Sequence, residues 1–246
     1  MRISPQIPLP LEPLRADRFE DFLPGPNAAA LAAVRQLLDE PGGVLFLSGP
    51  RGSGKSHLLN AVCHAARDRG LTAFYVPLRR LPREAAAGLG GLQSVDVVCV
   101  DDLDRVAAEA DWERALFRCF NELHAAHGRL LVSSSQPLAA VPLALPDLAS
   151  RLAWGVRQAL QPPDDADKLQ ILQRRALAMR IALPGDVANY LLRYGRRDLT
   201  SLLDALEQLR QAAFAGKRRI TVPLAREILG EREHGETLED EPEGRG

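Results

Sequence analysis

No stretch of the 246 residues approaches the ~18 consecutive apolar positions that a membrane-spanning helix needs. The N-terminus offers one arginine and then a proline-broken run too short and irregular for a signal-peptide core. The expectation is therefore a soluble, cytoplasmic protein without a membrane partner. Net charge is also nearly absent. Lys plus Arg is 31 and Asp plus Glu is 32, which leaves a formal charge of −1 and argues against a protein whose main task is coating nucleic acid or an acidic membrane. Cysteine is scarce. Cys63, Cys99 and Cys119 are odd in number, widely spaced and set in apolar contexts, and no CxxC pair occurs. They read as reduced core thiols, which excludes a disulfide scaffold or a zinc site. No internal repeat is present.

What remains is an ordinary globular mixture, 46% apolar and 26% charged, with ample material for a core. Up to about Arg18 the chain is a Pro-rich arm (1–18). From Phe19 to Gln161, short apolar runs rich in β-formers alternate with helical patterns: VLFLS (44–48), TAFYV (72–76), VDVVCV (95–100) and RLLVSS (129–134), with helices over 57–67 and 112–127 among them. That alternation predicts an α/β domain (19–161), a parallel sheet with helices on both faces. After QPPDDADK the texture becomes helical throughout. Asp164 and Asp165 are candidate N-caps for a helix with Leu169, Leu172, Ala176 and Met179 on one face, and Pro184 opens a second helix. A third carries Leu199, Leu202, Leu203, Leu206 and Leu209, and ITVPLAREIL (220–229) closes a small all-α domain (162–230). The acidic, Gly-containing tail (231–246) is expected to be disordered.

Between the first strand and the helix after it lies GPRGSGKS: Gly49, Pro50, Arg51, Gly52, Ser53, Gly54, Lys55, Ser56. It matches GxxxxGK[ST] without departure and in the strand–loop–helix context the P-loop requires. Glycines turn backbone N–H groups toward phosphate oxygens, and the helix N-terminus adds a favourable dipole. Lys55 is placed to reach β- and γ-phosphates and Ser56 to ligate Mg²⁺, so the cofactors expected are ADP or ATP with Mg²⁺. The apolar strand VDVVCVDDL delivers Asp101 to hold the metal, directly or through water, and Asp102 to orient or activate an attacking water. For Asp102 the plainer alternative is a cap of the following loop. His57, directly after the loop, is grouped with the nucleotide-side residues and reads as structural rather than catalytic.

Several segments resemble the AAA+ ATPases and, within them, the DnaA/Hda family, over about Phe19 to Gly230. RFEDFLPGPN (18–27), with Phe22 and Asn27, is similar to the box that wraps the adenine in that family. DLASRLAWG (147–155) is similar to its SRF-type box, which implies that Arg151 is an arginine finger. LPGDVANYLLRY and ITVPLAREIL resemble its lid. The initiators of this family carry a further helix-turn-helix domain for DNA recognition. Here the lid is followed by acidic tail and preceded by QIPLPL (6–11), as in the branch of regulatory inactivators.

QIPLPL resembles the motif by which proteins dock on the DNA polymerase sliding clamp, with Gln6 in a polar pocket and Leu9 and Leu11 in an apolar one. A Pro-rich strap on its own domain is the bland reading of the same residues. The resemblance implies a negative regulator of replication initiation that binds the clamp and stimulates hydrolysis of DnaA-bound ATP in trans through Arg151.

Two departures point to slow turnover by the chain itself. Thr200 stands where the family has the second-sensor arginine, with Arg196 or Arg197 as substitutes, and Ser135, beside Ser134 at the strand end, stands where the initiators have aspartate. Weak DNA contact through lid residues such as Arg193 and Arg218, and self-association through the arm and the Arg151 edge, are left open. The alternative function is an ATP-hydrolysing helicase loader or transposition helper of the DnaC/IstB type.

Overall fold

The structure, a computed structural model, describes residues 17–196 and 198–235, with backbone alone for residue 93 and residues 231–235. Gln6, Leu9 and Leu11 of the arm, Arg197, and the tail from residue 236 lie outside the described residues. The chain divides into two compact units, one ending at Pro162 and the other starting at Pro163.

The first unit runs α1 (Ala28–Asp39), β1 (Val44–Ser48), α2 (Lys55–Asp68), β2 (Ala73–Pro77), β3 (Val97–Asp101), α3 (Ala110–Ala125), β4 (Arg129–Ser134), α4 (Pro146–Ala153) and β5 (Val156–Ala159). All paired strands are parallel, in the order β2-β3-β4-β1-β5. Side chains alternate along a strand, and here both alternations are apolar. Leu45, Leu47, Val97 and Cys99 join the core formed with α1 and α2. Phe46, Val98, Val100, Leu130 and Val132 join the one formed with Trp112, Leu116 and Phe120 of α3. A sheet buried on both faces needs such continuous runs, which is why four strands were legible. The fifth, VRQA, is an exposed edge strand that carries no such run. All three cysteines are free and buried, and burial pushes the Cys119 thiol up to about 12.

One buried acid organises the α3 face. Glu113, in the first turn of α3, accepts the backbone N–H groups of Ala108 at 2.7 Å, Ala144 at 3.0 Å and Leu145 at 2.6 Å. Leu145 caps α4, so the carboxylate fastens the start of the helix that carries Arg151 to α3.

The second unit is all-helical: α5 (Asp165–Ala178), α6 (Gly185–Tyr194), α7 (Leu199–Ala215) and α8 (Val222–Gly235). Asp164 accepts the Asp167 N–H at 2.7 Å and Asp198 the Ser201 N–H at 2.9 Å, which caps α5 and α7. Asp165 falls instead in the first turn of α5, 2.9 Å from Lys168. Leu172, Val187, Leu191, Leu202, Leu206, Leu209 and Leu224 form the core. No described helix is long and apolar enough to cross a membrane.

Glu113→Ala would strand three backbone donors and is expected to cost about 3 kcal/mol of unfolding free energy, with a smaller loss for Glu113→Gln. Urea denaturation checks this, and an unchanged midpoint for Glu113→Ala would refute the role given to the carboxylate.

Candidate nucleotide site

The loop that follows β1 is held by contacts that leave no room for side chains. At Gly49 (φ 153°) a Cβ would lie 2.5 Å from the Leu160 carbonyl oxygen, and at Gly54 (φ 97°) one would lie 2.7 Å from the Phe22 ring. Phe22 is buried there, its ring centroid 5.6 Å from that of His57. His57 in turn holds the Arg18 carbonyl through Nε2 at 2.8 Å. Asn27 pins the far end of this segment: its Nδ2 donates to the Gln161 carbonyl at 2.9 Å and its Oδ1 accepts the Gln161 N–H at 2.8 Å. Residues 18–27 thus form a strap over the start of α2, and Phe22, Asn27 and His57 act in it as fasteners.

Inside the loop, Lys55 is buried and folded back, its Nζ donating to the carbonyls of Gly49 at 2.6 Å and Pro50 at 3.0 Å. Burial pulls its pKa below the ordinary value, partly countered by the negative charges of Asp101, Asp102 and Asp104. Ser53 Oγ is buried with no hydrogen-bond partner among the described residues. An orphaned hydroxyl and a lysine whose charge is spent on backbone carbonyls are groups that a polyphosphate would satisfy. The donor set fits a nucleotide phosphate chain. Ser56 opens α2 beside Lys55, and its own carbonyl is capped by Asn60 Nδ2 at 2.8 Å.

Three acids cluster at the end of β3: its last residue Asp101, then Asp102 and Asp104. Asp101, 4% exposed, accepts the Tyr75 hydroxyl at 2.6 Å on Oδ2 and the Ser133 hydroxyl on Oδ1. Asp102 stands in the left-handed region (φ 61°), its N–H held by Ser133 Oγ at 3.0 Å and its carboxylate by Arg79 Nε at 2.8 Å. Asp104 is engaged by Ser135 through both N–H (2.8 Å) and Oγ (2.7 Å); burial lifts its pKa, but those hydrogen bonds outweigh burial and hold it below the usual value. Ser134 is fully buried, accepts the Gln136 N–H at 3.1 Å, and its carbonyl receives the Gly49 N–H at 3.2 Å. Of the two sensor candidates at this strand end, Ser135 is therefore tied to Asp104. Tyr75, Arg79 and Asp104 were not singled out from sequence, because the register that brings them to the acids has no local signature.

Arg151 lies in the last turn of α4, its guanidinium carbon 4.1 Å from the ring centroid of Trp154 and 5.9 Å from that of Phe120. Trp154 is 58% exposed and sits edge-on to Phe120 and His124. Among the described residues Arg151 forms no ion pair. In the lid, Thr200 occupies the first turn of α7. Arg193 lies over the Tyr194 ring at 5.5 Å, and Arg218 is 3.5 Å from Glu227.

The architecture is shared with solved AAA+ proteins. Domain III of the Thermotoga maritima replication initiator DnaA superposes with a TM-score of 0.78 at 24% identity, over 89% of this chain and 98% of that one. AMPPCP-bound DnaA from Aquifex aeolicus gives 0.65 at 20% identity, over 91% and 71%. The T. maritima RuvB branch-migration motor gives 0.65 at 17%, over 89% and 72%. Parallel sheet, P-loop and paired acids define an AAA+ fold. Residues 165–229 match the family model of the Hda lid domain, and the fold of the chain is that of the DnaA and RuvB structures.

Replacing Lys55 by Met should lower affinity for a fluorescent ADP by roughly a hundredfold, on the order of 3 kcal/mol for lost charge-assisted bonds. Because burial disfavours the lysine's charge, thermal stability without nucleotide should be unchanged or higher. Full ADP binding by the variant would refute the site.

Proposed function

We propose that this chain is a nucleotide-bound regulator of replication initiation that docks on the DNA polymerase sliding clamp and stimulates ATP hydrolysis by DnaA, supplying Arg151 in trans. The observation that carries the reading is the state of Arg151. Its guanidinium is stacked on an exposed indole and forms no ion pair among the described residues, so its fork of donors is available to an incoming phosphate. The match of the lid to that of Hda supports the choice of branch, and the arm residues Gln6, Leu9 and Leu11 supply the clamp ligand.

ADP or ATP is bound by the backbone N–H groups of Gly52 to Lys55, by Lys55 once it exchanges carbonyls for phosphate, and by Ser56 and Asp101 through Mg²⁺. A Mg²⁺ held by Ser56 and Asp101 would supply neutralisation of phosphate charge. The AMPPCP held by the A. aeolicus initiator supports an adenine nucleotide here. Turnover by the chain itself is slow, for two reasons. Asp102 is engaged by Arg79, and Ser135 spends its hydroxyl on Asp104, so neither group is free to orient water. The resident nucleotide then serves as a conformational ligand.

In a reaction with clamp loaded on DNA and ATP-bound DnaA, Arg151→Ala should abolish stimulation, a finger in trans being worth roughly 10³–10⁵ in rate. Arg151→Lys should restore little of it, for a lysine lacks the planar fork. The double substitution Gln6→Ala/Leu9→Ala should lose clamp binding and, with it, stimulation. Wild-type protein that ignores the clamp but binds a replicative helicase would replace this reading with that of a helicase loader.

A further inference from the structure

We infer that Tyr75 is a positioning residue for the metal-side carboxylate: its hydroxyl, together with that of Ser133, fixes Asp101 in the orientation in which it receives the Mg²⁺ of a bound nucleotide. The inference rests on the nucleotide reading above and adds to it a residue from the edge strand of the sheet.

Strand register explains how the phenol reaches the acid. β2 and β3 pair with Tyr75 opposite Cys99 and Pro77 opposite Asp101. Positions two apart share a face, so Tyr75 lies on the same side of the sheet as the position facing Asp101, one step back along the edge. From there a long aromatic side chain spans the diagonal and places its hydroxyl 2.6 Å from Oδ2. On the other flank, β3 pairs with β4 through Val100 and Val132. Ser133, the next residue of β4, donates to Oδ1. The carboxylate is thus gripped from both neighbouring strands, one oxygen each, which stops rotation about its last torsion.

The grip leaves coordinating capacity. Each carboxylate oxygen offers two lone-pair directions, and one hydrogen bond per oxygen uses half of them. The donors are also of the right kind, since a hydroxyl orients the acid without neutralising it, as a lysine or arginine would. A phenol keeps its proton across the neutral range, so Tyr75 is the donor in this bond. Partners of this kind, behind a metal ligand, commonly change metal affinity 10–100-fold when removed. A tyrosine that merely filled the edge would have no such effect, and Tyr75→Phe separates the two cases because it keeps the ring against Cys99 and α2.

The test is a Mg²⁺ titration of fluorescent-ADP binding to the full chain, starting from EDTA-treated protein, with thermal melting recorded alongside. Tyr75→Phe should move the Mg²⁺ midpoint upward by about 10–100-fold while metal-free ADP affinity stays at the wild-type value and the melting temperature falls only slightly, by the one hydrogen bond lost. Ser133→Ala should shift the midpoint in the same direction, which guards against a peculiarity of one variant. A midpoint that is unchanged or lowered overturns the inference. So does a variant that loses stability and metal-free ADP affinity with no shift in the Mg²⁺ midpoint, since that is a packing role. If wild-type protein binds ADP neither with nor without Mg²⁺, the nucleotide reading itself falls and this inference with it. If wild type binds and responds to Mg²⁺ but Tyr75→Phe does not differ, only the inference falls.

Discussion

The Leu160 carbonyl approaches Gly49 so closely that a single methyl group would not fit between them. That approach joins the exit of the edge strand β5 to the first residue of the phosphate loop. Asn27 then ties the next turn of chain, at Gln161, back to the strap that crosses the loop. The loop therefore has a fixed wall on one side and Phe22 on the other. The requirement for glycine at 49 and 54 is a consequence of this closure. So is the burial of Ser53 and Lys55, which the closed loop removes from water.

Burial at this edge of the sheet sets the electrostatics. Desolvation weakens the charged form of Lys55, and three carboxylates from the β3 end partly restore it. Those carboxylates are in turn occupied: Asp101 by two hydroxyls, Asp102 by Arg79, Asp104 by Ser135. The result is a cluster in which each acid is paired within the fold.

Much of this frame could be read directly from the chain. Strands buried on both faces write themselves as apolar runs, and β1 and β4 fall on the residues expected. β2 and β3 begin one and two residues later than the runs that announced them. β5 left no signal because an edge strand with mostly exposed side chains is not selected for hydrophobicity. The phosphate loop was legible for a different reason: its chemistry needs fixed residue types at fixed spacing. What could not be read were contacts created by register and tertiary closure. Nothing near Tyr75 or Arg79 announces a neighbouring acid, and Glu113 looks like one more charged residue on an amphipathic helix. Phe22, Asn27 and His57, expected on the nucleotide side, also fasten the strap through contacts that have no local signature in the sequence.

The stacking of Arg151 on Trp154 has a thermodynamic side. A free arginine side chain carries about 2 kcal/mol of rotamer entropy, much of which is lost on capture by a partner. Here the indole face and the ring of Phe120 already restrict the guanidinium, and α4 beneath it is fastened to α3 through Glu113. Folding, not docking, thus bears most of the cost of ordering this side chain. The direction of the cation is set within the fold, and an anionic partner of any kind would pay little to align it.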